Sequence, residues 1–238
     1  MSAATSSPDL APTRDLARWS SALTAGQISD SAMLWAKHAL LDWFGVTIAG
    51  SREDLAPLLL EEFGGKDGPV TLVALNARAK AHDAALINGT LSHALDYDDV
   101  NADMGGHPTA PVGAAALALG EALGKSGRDV LLAFIAGYEV ECQIGAMAGQ
   151  SHYEKGFHAT GTFGTFGATA AAARLMGLDA QQTAIAFGIA ASEAAGLKYN
   201  FGTMTKPVHV GKAAMNGVIA ARLAARGFTA RDDAIEGP

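Results

Sequence analysis

The sequence predicts an all-α protein, a multi-helix bundle, and three observations lead to that prediction. Apolar residues recur at helical spacing through most of the 238 residues, and only short polar connections separate these runs. Alanine and glycine are far more frequent than valine and isoleucine, which favours closely packed helices over a large sheet. Residues 70–75 form the one clear strand-like run in the sequence, and that run is short and isolated.

Each predicted helix begins and ends at a recognisable residue. Ser29 precedes a helix that has tryptophan and alanine at helical spacing, and Gly50 ends that helix. Ser126 and Asp179 each stand three residues before a side chain that completes capping-box spacing. The predicted helices cover residues 13–23, 29–48, 53–63, 78–95, 109–123, 126–144, 159–175, 179–195 and 210–225.

The first residues carry no secretory signal. Residues 1–12 contain Ser, Pro and Asp without a basic region and an apolar stretch, and they predict a disordered lead to one helical domain at residues 13–238. No uncharged run is long and apolar enough to predict a membrane span, because the apolar residues 109–120 are few and rich in alanine. The single cysteine, Cys142, excludes an internal disulfide and lies in an apolar helical pattern that predicts core packing. We therefore expect a cytoplasmic protein without a membrane partner.

Composition and charge narrow the class of ligand. With 49% hydrophobic and 17% charged residues, the chain is able to bury a sizeable core. The net charge is −7, and the basic residues are scattered without a cluster, so no nucleic-acid partner is expected. A net-negative protein that binds an anion has to concentrate positive charge locally. The few lysines and histidines therefore indicate where a binding site would be.

The first of three polar segments is rich in aspartate. Residues 93–99 read HALDYDD, and His93 and Asp96 would be neighbours on a helical face. Three carboxylates within four residues repel one another, so at least one of their pKa values should be raised unless cations lie near. A solvated helix end would also account for the pattern. A Mg²⁺ site is a further alternative, although the sequence offers no second acidic motif to complete it.

The second and third polar segments each present a cationic side chain beside a helix start. In residues 151–158, His158 directly precedes a predicted helix, whose N-terminus would offer N–H groups and positive potential to an anion. In residues 196–209, Lys206 stands before Pro207, which predicts an extended backbone at the lysine. Such a lysine can act as an anion anchor or a general acid. The alternatives are a structural histidine and an exposed lysine.

Taken together, these segments resemble those of the MmgE/PrpD family. The resemblance is carried by residues 93–99 and by residues 106–111, which read GHPTAP. It continues in residues 152–165 and in residues 200–209, which read NFGTMTKPVH. The intervening helices also fit, so the resemblance extends from about residue 16 to residue 238. The motifs are specific in combination, although each is weak alone.

The resemblance implies a cofactor-independent lyase-type enzyme, a dehydratase, decarboxylase or epimerase, that needs no metal. Its substrate would be a small di- or tricarboxylic acid such as 2-methylcitrate or cis-aconitate. All three reactions involve proton transfer next to a carboxylate, where the site must stabilise developing negative charge. The resemblance also implies a homodimer in which a large helical domain carries a smaller α/β lid. We assign Asp96, His107, His158 and Lys206 to catalysis, and His93, Thr205 and His209 to substrate binding.

Two features depart from the family pattern. Val100 occupies the position at which decarboxylase-like members carry threonine, and the segment from there to His107 differs in length. Family members are also considerably longer, so the chain is expected to stop where the lid domain would begin. Capping-box spacing at residues 229–232, six residues before the last one, agrees with that expectation. Two alternatives remain open: an inactive truncated helical or dimerisation module, and a Mg²⁺-dependent enzyme that uses the Asp-rich loop.

Overall fold

The computed structural model describes residues 11–65 and 67–237, which contain ten α-helices and one two-stranded sheet. The prediction of an all-α helical domain is confirmed. The strands β1 (Val70–Thr71) and β2 (Arg78–Ala79) pair antiparallel, with Val70 opposite Ala79. The helices are α1 (Pro12–Ala22), α2 (Asp30–Gly50), α3 (Leu55–Phe63), α4 (Ala81–Ser92), α5 (Thr109–Ala122), α6 (Gly127–Ala148), α7 (Gln150–Glu154), α8 (Ala159–Met176), α9 (Ala180–Glu193) and α10 (Thr205–Ala224).

The centre of the bundle is formed by α4, α5, α8 and α10. Helix α10 packs along both α8 and α4, while α8 also packs against α5 and α6. Helix α2 covers α4, and α1 packs against α9. Small residues make this close approach possible, because a Cβ added to Gly211 on α10 would lie 2.1 Å from the carbonyl oxygen of Leu86 on α4. The predicted tight helix packing is therefore a consequence of the alanine- and glycine-rich composition.

Helix α2 has a buried side and an exposed apolar side. Trp43 fills the core, and its indole Nε1 donates to the carbonyl oxygen of Ala110 at 3.2 Å. The opposite side is also apolar, and a large exposed apolar face is typical of surfaces that contact another chain or domain. The large apolar side chains exposed on α2 are Leu34, Trp35, Leu41, Phe44 and Ile48.

Helix α6 is the one helix of the described residues that is long and apolar enough to cross a membrane. A core helix of a globular protein meets the same criterion, and 56% of the relevant segment of α6 is buried inside the fold. It packs against α8 and α5. Cys142 lies buried on this helix, as predicted for a core residue. The length and composition of α6 are therefore weak evidence for a membrane span.

Two predicted boundaries near the beginning of the chain are wrong. Pro12 was placed in the disordered lead but begins α1, because its fixed φ suits the first residues of a helix. The rest of that lead, residues 1–10, lies outside the described residues. The helix predicted for residues 78–95 begins at Ala81, because the two residues before Lys80 pair with β1, and it ends at Ser92.

Two of the predicted polar loops contain helix. Residues 150–154 form the short α7, and α10 begins at Thr205 instead of residue 210. Pro207 lies in the first turn of α10, where a backbone N–H has no intrahelical partner and a proline is tolerated. The extended backbone predicted for Lys206 is therefore wrong, and its side chain is carried by a helix start. No helix follows the capping pattern at residues 229–232 within the described residues.

Replacing Ser126 by alanine is expected to lower the free energy of unfolding by about 1 kcal/mol. The capping box predicted there is present: Ser126 Oγ accepts from the backbone N–H of Asp129 at 3.2 Å and donates to Asp129 Oδ2 at 2.7 Å. Urea unfolding followed by circular dichroism would measure the loss. Ser126→Thr keeps the hydroxyl and serves as the control. Equal unfolding midpoints for Ser126→Ala and the wild type would contradict the prediction.

Candidate active site

Three helices begin at one place in the fold, and each brings a cationic or imidazole side chain to it. His107 lies just before α5, His158 is the N-cap of α8, and Lys206 is the second residue of α10. The backbone N–H of His107 donates to Thr160 Oγ1 in the first turn of α8 at 3.1 Å. Nδ1 of His158 lies 3.2 Å from Nδ1 of His209 in the second turn of α10. Because helix N-termini carry positive potential, this junction favours anions.

A folded loop between α4 and α5 carries the carboxylates to the same junction. Asp96 has a φ of 58°, in the left-handed region that aspartate tolerates better than most residues, and the chain reverses there. Asn101 bonds to Gly106 through its backbone N–H at 3.0 Å, which closes the loop and returns His107 towards Asp96. Gly106 is required by close packing, since a Cβ there would lie 3.0 Å from both N and Oγ1 of Thr160.

The carboxylate of Asp96 lies near three other predicted site residues. Its Oδ1 forms an ion pair with Nζ of Lys206 and lies 3.6 Å from His107 Nε2. The Nε2 atom of His93 is 3.9 Å from the same oxygen. The side chain of Asp96 is 54% exposed, whereas that of Lys206 is only 13% exposed. The structure thus brings together four predicted site residues around one accessible carboxylate.

Two further histidines extend this cluster, and one predicted residue lies apart from it. The ring of His158 stacks on that of His93, with centroids 5.6 Å apart, and meets Phe201 edge-on at 4.9 Å. His209 joins through His158. Thr205 is exposed at the first residue of α10, and the described residues give it no side-chain hydrogen bond to the cluster. A role for Thr205 in substrate binding stays a prediction.

Sequence reasoning missed Asp98, the most buried carboxylate of the site. Both of its carboxylate oxygens lie 3.0 Å from His93 Nδ1, and Oδ2 lies 3.4 Å from His107 Nδ1. Its side chain is 3% exposed. The signal in the sequence was the presence of three nearby aspartates, but helical spacing from His93 pointed to Asp96 and could not anticipate the turn that follows. Only the folded loop reveals which carboxylate faces inward.

The pKa values of His107 and Asp98 are shifted in opposite directions. Burial lowers the pKa of His107, but its hydrogen bond to Asp98 and the charges of Asp98 and Asp96 outweigh burial and raise that pKa above its ordinary value. Burial also raises the pKa of Asp98, yet hydrogen bonds from His107 and His93 bring the net pKa well below its usual range. His107 is therefore the imidazole best placed to hold a proton against an ionised Asp98.

His158 and His209 favour the neutral imidazole. Burial, followed by the charges of His93, His209, Lys206 and His107, lowers the pKa of His158 to about 2. Burial and the charge of His93 also lower the pKa of His209. Before a ligand binds, these two rings therefore act as hydrogen-bonding groups, and an anion bound beside them would raise both pKa values.

Asp99 confirms the prediction that one of the three carboxyl pKa values is raised. Burial is the largest cause, and the charge of Asp98 adds to it, while hydrogen bonds from Thr109 act in the opposite direction. The carboxylate of Asp99 accepts from the backbone N–H of Thr109 at 3.1 Å and from its hydroxyl at 2.7 Å. It thus accepts hydrogen bonds from the first residue of α5 and faces away from the cluster around Asp96.

The cluster opens into a cleft of about 350 Å³. Small-molecule sites commonly have volumes of roughly 300–1,000 Å³, so the cleft has room for a small organic acid. His93, Asp96, Lys206 and Thr203 line it, and the exposed Glu53 lies at the same opening. By contrast, Val100 lines a separate apolar groove between α2 and α6. The position at which decarboxylase-like members carry threonine therefore does not line the cleft.

Four of these side chains are close enough to hold a metal ion. One possible ligand atom from each of His93, Asp96, Asp98 and His107 lies within 4.8 Å of the others. Two imidazoles and two carboxylates suit a transition metal better than Mg²⁺, which prefers oxygen ligands. The ammonium of Lys206 already provides a cation beside Asp96. With Asp99 engaged by Thr109, the donor set does not favour the Mg²⁺ alternative.

Comparison with known proteins identifies the family. The model of the MmgE/PrpD N-terminal domain matches residues 14–238. The chain belongs to the MmgE/PrpD family. The resemblance drawn from the three polar segments is therefore confirmed, and this helical MmgE/PrpD domain carries the convergent cluster described above.

Curated relatives are described as decarboxylases. The chain is 32% identical to a cis-aconitate decarboxylase of Homo sapiens over 214 residues, which are 87% of this chain and 44% of the relative. It is 30% identical to a cis-aconitate decarboxylase-like protein of Aspergillus oryzae over 240 residues, 96% of this chain and 50% of the relative. A cis-aconitate decarboxylase of Aspergillus terreus is 29% identical over 245 residues, 94% and 48% of the two chains. The chain therefore spans about half the length of the curated relatives it matches.

Proposed function

We propose that this MmgE/PrpD domain carries the acid–base and anion-binding groups of a lyase-type reaction on a small di- or tricarboxylic acid. The observation that carries the proposal is the junction of α5, α8 and α10, where three helix N-termini meet and where Lys206 and a proton-holding His107 both approach Asp96. Asp96 and Lys206 line the cleft. Because the net charge of the chain is −7, positive potential at one place requires the fold to bring cationic groups and helix N-termini together there.

Binding of the acid would rest on Lys206. Its ammonium is largely buried and contacts only one partly exposed carboxylate, that of Asp96, which a substrate carboxylate can approach from the cleft. His158 and His209 would donate hydrogen bonds and gain charge as the anion binds. Thr205, at the start of α10, would contact a second carboxylate once the substrate fills the cleft. This arrangement places negative charge where the helix starts favour it.

Chemistry would follow as proton transfer at the carbon next to a bound carboxylate. Asp96 is the proposed proton acceptor, because it is accessible from the cleft and its charge is stabilised by Lys206. His107 is the proposed proton donor, since its raised pKa keeps it protonated closer to neutral pH. Lys206 would stabilise the negative charge that develops on the carboxylate oxygens. In an elimination Asp96 would take the proton and His107 would protonate the leaving hydroxyl, which departs as water. In an epimerisation His107 would instead return a proton to the opposite face of the same carbon. In a decarboxylation the bond to the departing CO₂ would break and His107 would protonate the carbon, with no proton taken by Asp96.

The relatives support a choice of substrate within this class. Cis-aconitate is the first candidate, because three similar proteins are described as acting on it or as resembling proteins that do. 2-Methylcitrate is the second, because it presents the same spacing of carboxylates with a leaving hydroxyl. A homodimer, a cytoplasmic location and the absence of nucleic-acid or membrane partners stay predictions, and sedimentation velocity would test the first of them.

Proton NMR of the purified chain in D₂O is the direct test. The chain would be incubated with cis-aconitate, 2-methylcitrate, citrate or iminodisuccinate, and we expect deuterium exchange next to a carboxylate, product formation, or both. EDTA should leave the rate unchanged, whereas the Mg²⁺ alternative requires the rate to fall.

Two control measurements decide how a negative result of this NMR experiment is interpreted. Circular dichroism would establish that the chain is folded, and chemical-shift perturbation would report whether the acids bind. A folded chain that neither binds nor exchanges any of the four acids would overturn the proposal and support the inactive helical module. Binding without exchange would retain the anion site and refute catalysis by this chain alone.

A further inference from the structure

One buried carboxylate, that of Asp98, lies between two imidazoles. His93 Nδ1 is 3.0 Å from both of its oxygens, and His107 Nδ1 approaches Oδ2 at 3.4 Å. The two rings meet edge to face with centroids 4.7 Å apart. The side chains of His93 and Asp98 are 0% and 3% exposed, so water does not compete for the contact between them.

The chemistry of this contact fixes the positions of the protons. An ionised carboxylate has acceptor sites and no donor, so an imidazole nitrogen that bonds to it has to carry a hydrogen. Nδ1 of His93 therefore has to be protonated. Nδ1 of His107 makes a longer contact with Asp98 Oδ2, at 3.4 Å, and the negative charge of Asp98 favours a hydrogen on that atom too. The two Nε2 atoms face Asp96 Oδ1 at 3.9 and 3.6 Å. Nε2 of His93 has no hydrogen-bond partner among the described residues, although it is fully buried.

The two neighbouring carboxylates, those of Asp96 and Asp99, do not contact the Nδ1 atoms of the two histidines. Asp99 is engaged by the hydroxyl and the backbone N–H of Thr109. Asp96 is on the Nε2 side of both rings and pairs with Lys206. The three aspartates of the loop thus have three separate sets of contacts, and Asp98 alone contacts the Nδ1 side of both histidines.

We propose that Asp98 is a positioning residue, a single buried carboxylate that holds a hydrogen on Nδ1 of both His93 and His107 and directs their Nε2 atoms towards the Asp96–Lys206 end of the cleft. The proton that His107 gives up is then the one on Nε2, and the neutral ring that remains is the Nδ1–H tautomer. The catalytic consequence of this positioning rests on the proposed function, but the tautomers are a property of the folded chain. In metal sites, the carboxylates that orient a histidine ring in this way commonly change affinity or activity by roughly 10- to 100-fold when they are replaced, and we expect an effect of that size here.

The test is long-range ¹H–¹⁵N correlation NMR of chain labelled with ¹⁵N-histidine. His93→Gln and His107→Gln spectra would assign the two rings. In the wild type we expect both Nδ1 atoms to be protonated. In Asp98→Asn, the carboxylate charge is lost and an N–H₂ donor replaces one of the two acceptor oxygens, so at least one ring should change to the Nε2–H tautomer or to a mixture. Asp103→Asn, which removes an exposed carboxylate of the same loop, should leave both tautomers unchanged.

The outcomes separate this proposal from the proposed function. A wild-type chain with either ring in the Nε2–H tautomer would overturn it, and that result does not depend on whether Asp98→Asn folds. Unchanged tautomers in a folded Asp98→Asn chain would also overturn it. Correct tautomers in a chain that exchanges no polycarboxylate would support the positioning role and count against the enzyme. With turnover, Asp98→Asn should lower kcat roughly 10- to 100-fold and change KM less.

Discussion

Replacing Lys206 by methionine is expected to lower turnover of the polycarboxylate by at least about 100-fold. Methionine keeps the length and the apolar stem of the side chain and removes the ammonium. Among the described residues that line the cleft, Lys206 is the one permanently cationic side chain. Its loss would leave Asp96 with the more distant imidazole of His107 in place of the ammonium, and a substrate carboxylate without its anchor. The effect should be present in both kcat and KM, because the ammonium contacts the bound acid and the developing charge.

A second lysine of the same helix provides the matched control. Lys212 lies on α10, six residues after Lys206, and is exposed to solvent. Lys212→Met removes the same charge and should keep turnover within about twofold of the wild type, since exposed charges have small effects. Initial rates would be measured by NMR for both variants and the wild type. Equal rates in Lys206→Met and Lys212→Met would exclude the proposed role of Lys206.

The helices were largely predictable because local signals specify them. The capping boxes at Ser126 and Asp179 were read from spacing and are both formed. Helix α10 is an exception, because local sequence signals did not predict the residue at which it begins. The sequence predicts an extended backbone before Pro207 and a helix from residue 210, but a proline is also compatible with the first turn of a helix, and α10 begins at Thr205. The helix packs against α8 and α4.

The site was predictable in its residue types and only partly in its arrangement. The motifs named six side chains that the fold brings together, although some of them are more than one hundred residues apart in sequence, as are Asp96 and Lys206. Spacing could not distinguish the aspartates of the loop from one another. That distinction depends on the left-handed φ of Asp96 and on the bond between Asp99 and Thr109, which arise from tertiary packing.

Glu141 is a buried ionisable residue that has no role in the proposed mechanism and was not among the predicted site residues. It lies on α6, is fully buried, and neither carboxyl oxygen has a hydrogen-bond partner among the described residues. Two glycines of α8 make room for it: a Cβ on Gly167 would lie 2.9 Å from its Oε2, and one on Gly164 would lie 3.4 Å away. Burial, with a further contribution from the charge of Asp99, raises the pKa of Glu141 well above its ordinary value of 4.5.

A buried carboxyl of this kind makes stability depend on pH. Below its ordinary pKa of 4.5, both the folded and the unfolded chain hold the proton, and Glu141 adds no pH dependence. Above that value the unfolded chain releases the proton while the folded chain keeps it. The contribution of Glu141 to the free energy of unfolding then falls by about 1.4 kcal/mol per pH unit until the pH reaches the folded-state pKa.

Replacing Glu141 by methionine is therefore expected to stabilise the protein by roughly 1–4 kcal/mol at pH 8, with a smaller gain at pH 5. Methionine has a similar volume, and its thioether needs no hydrogen bond in the apolar space between α6 and α8. Urea unfolding of the variant and the wild type at pH 5, 6, 7 and 8 gives the difference at each pH, in which contributions from the other titrating groups largely cancel.

Glu139→Met is the matched control for this last effect, because Glu139 is exposed on the same helix. It removes a carboxyl from the same helix and should alter stability by less than about 0.5 kcal/mol at every pH. If Glu141→Met gave the same small, pH-independent change, the carboxyl would have to be hydrated or bonded in solution, and the assignment of a neutral Glu141 would be wrong. A gain that grows with pH in Glu141→Met alone would instead show that the glycines of α8 enclose a carboxyl that holds its proton at neutral pH.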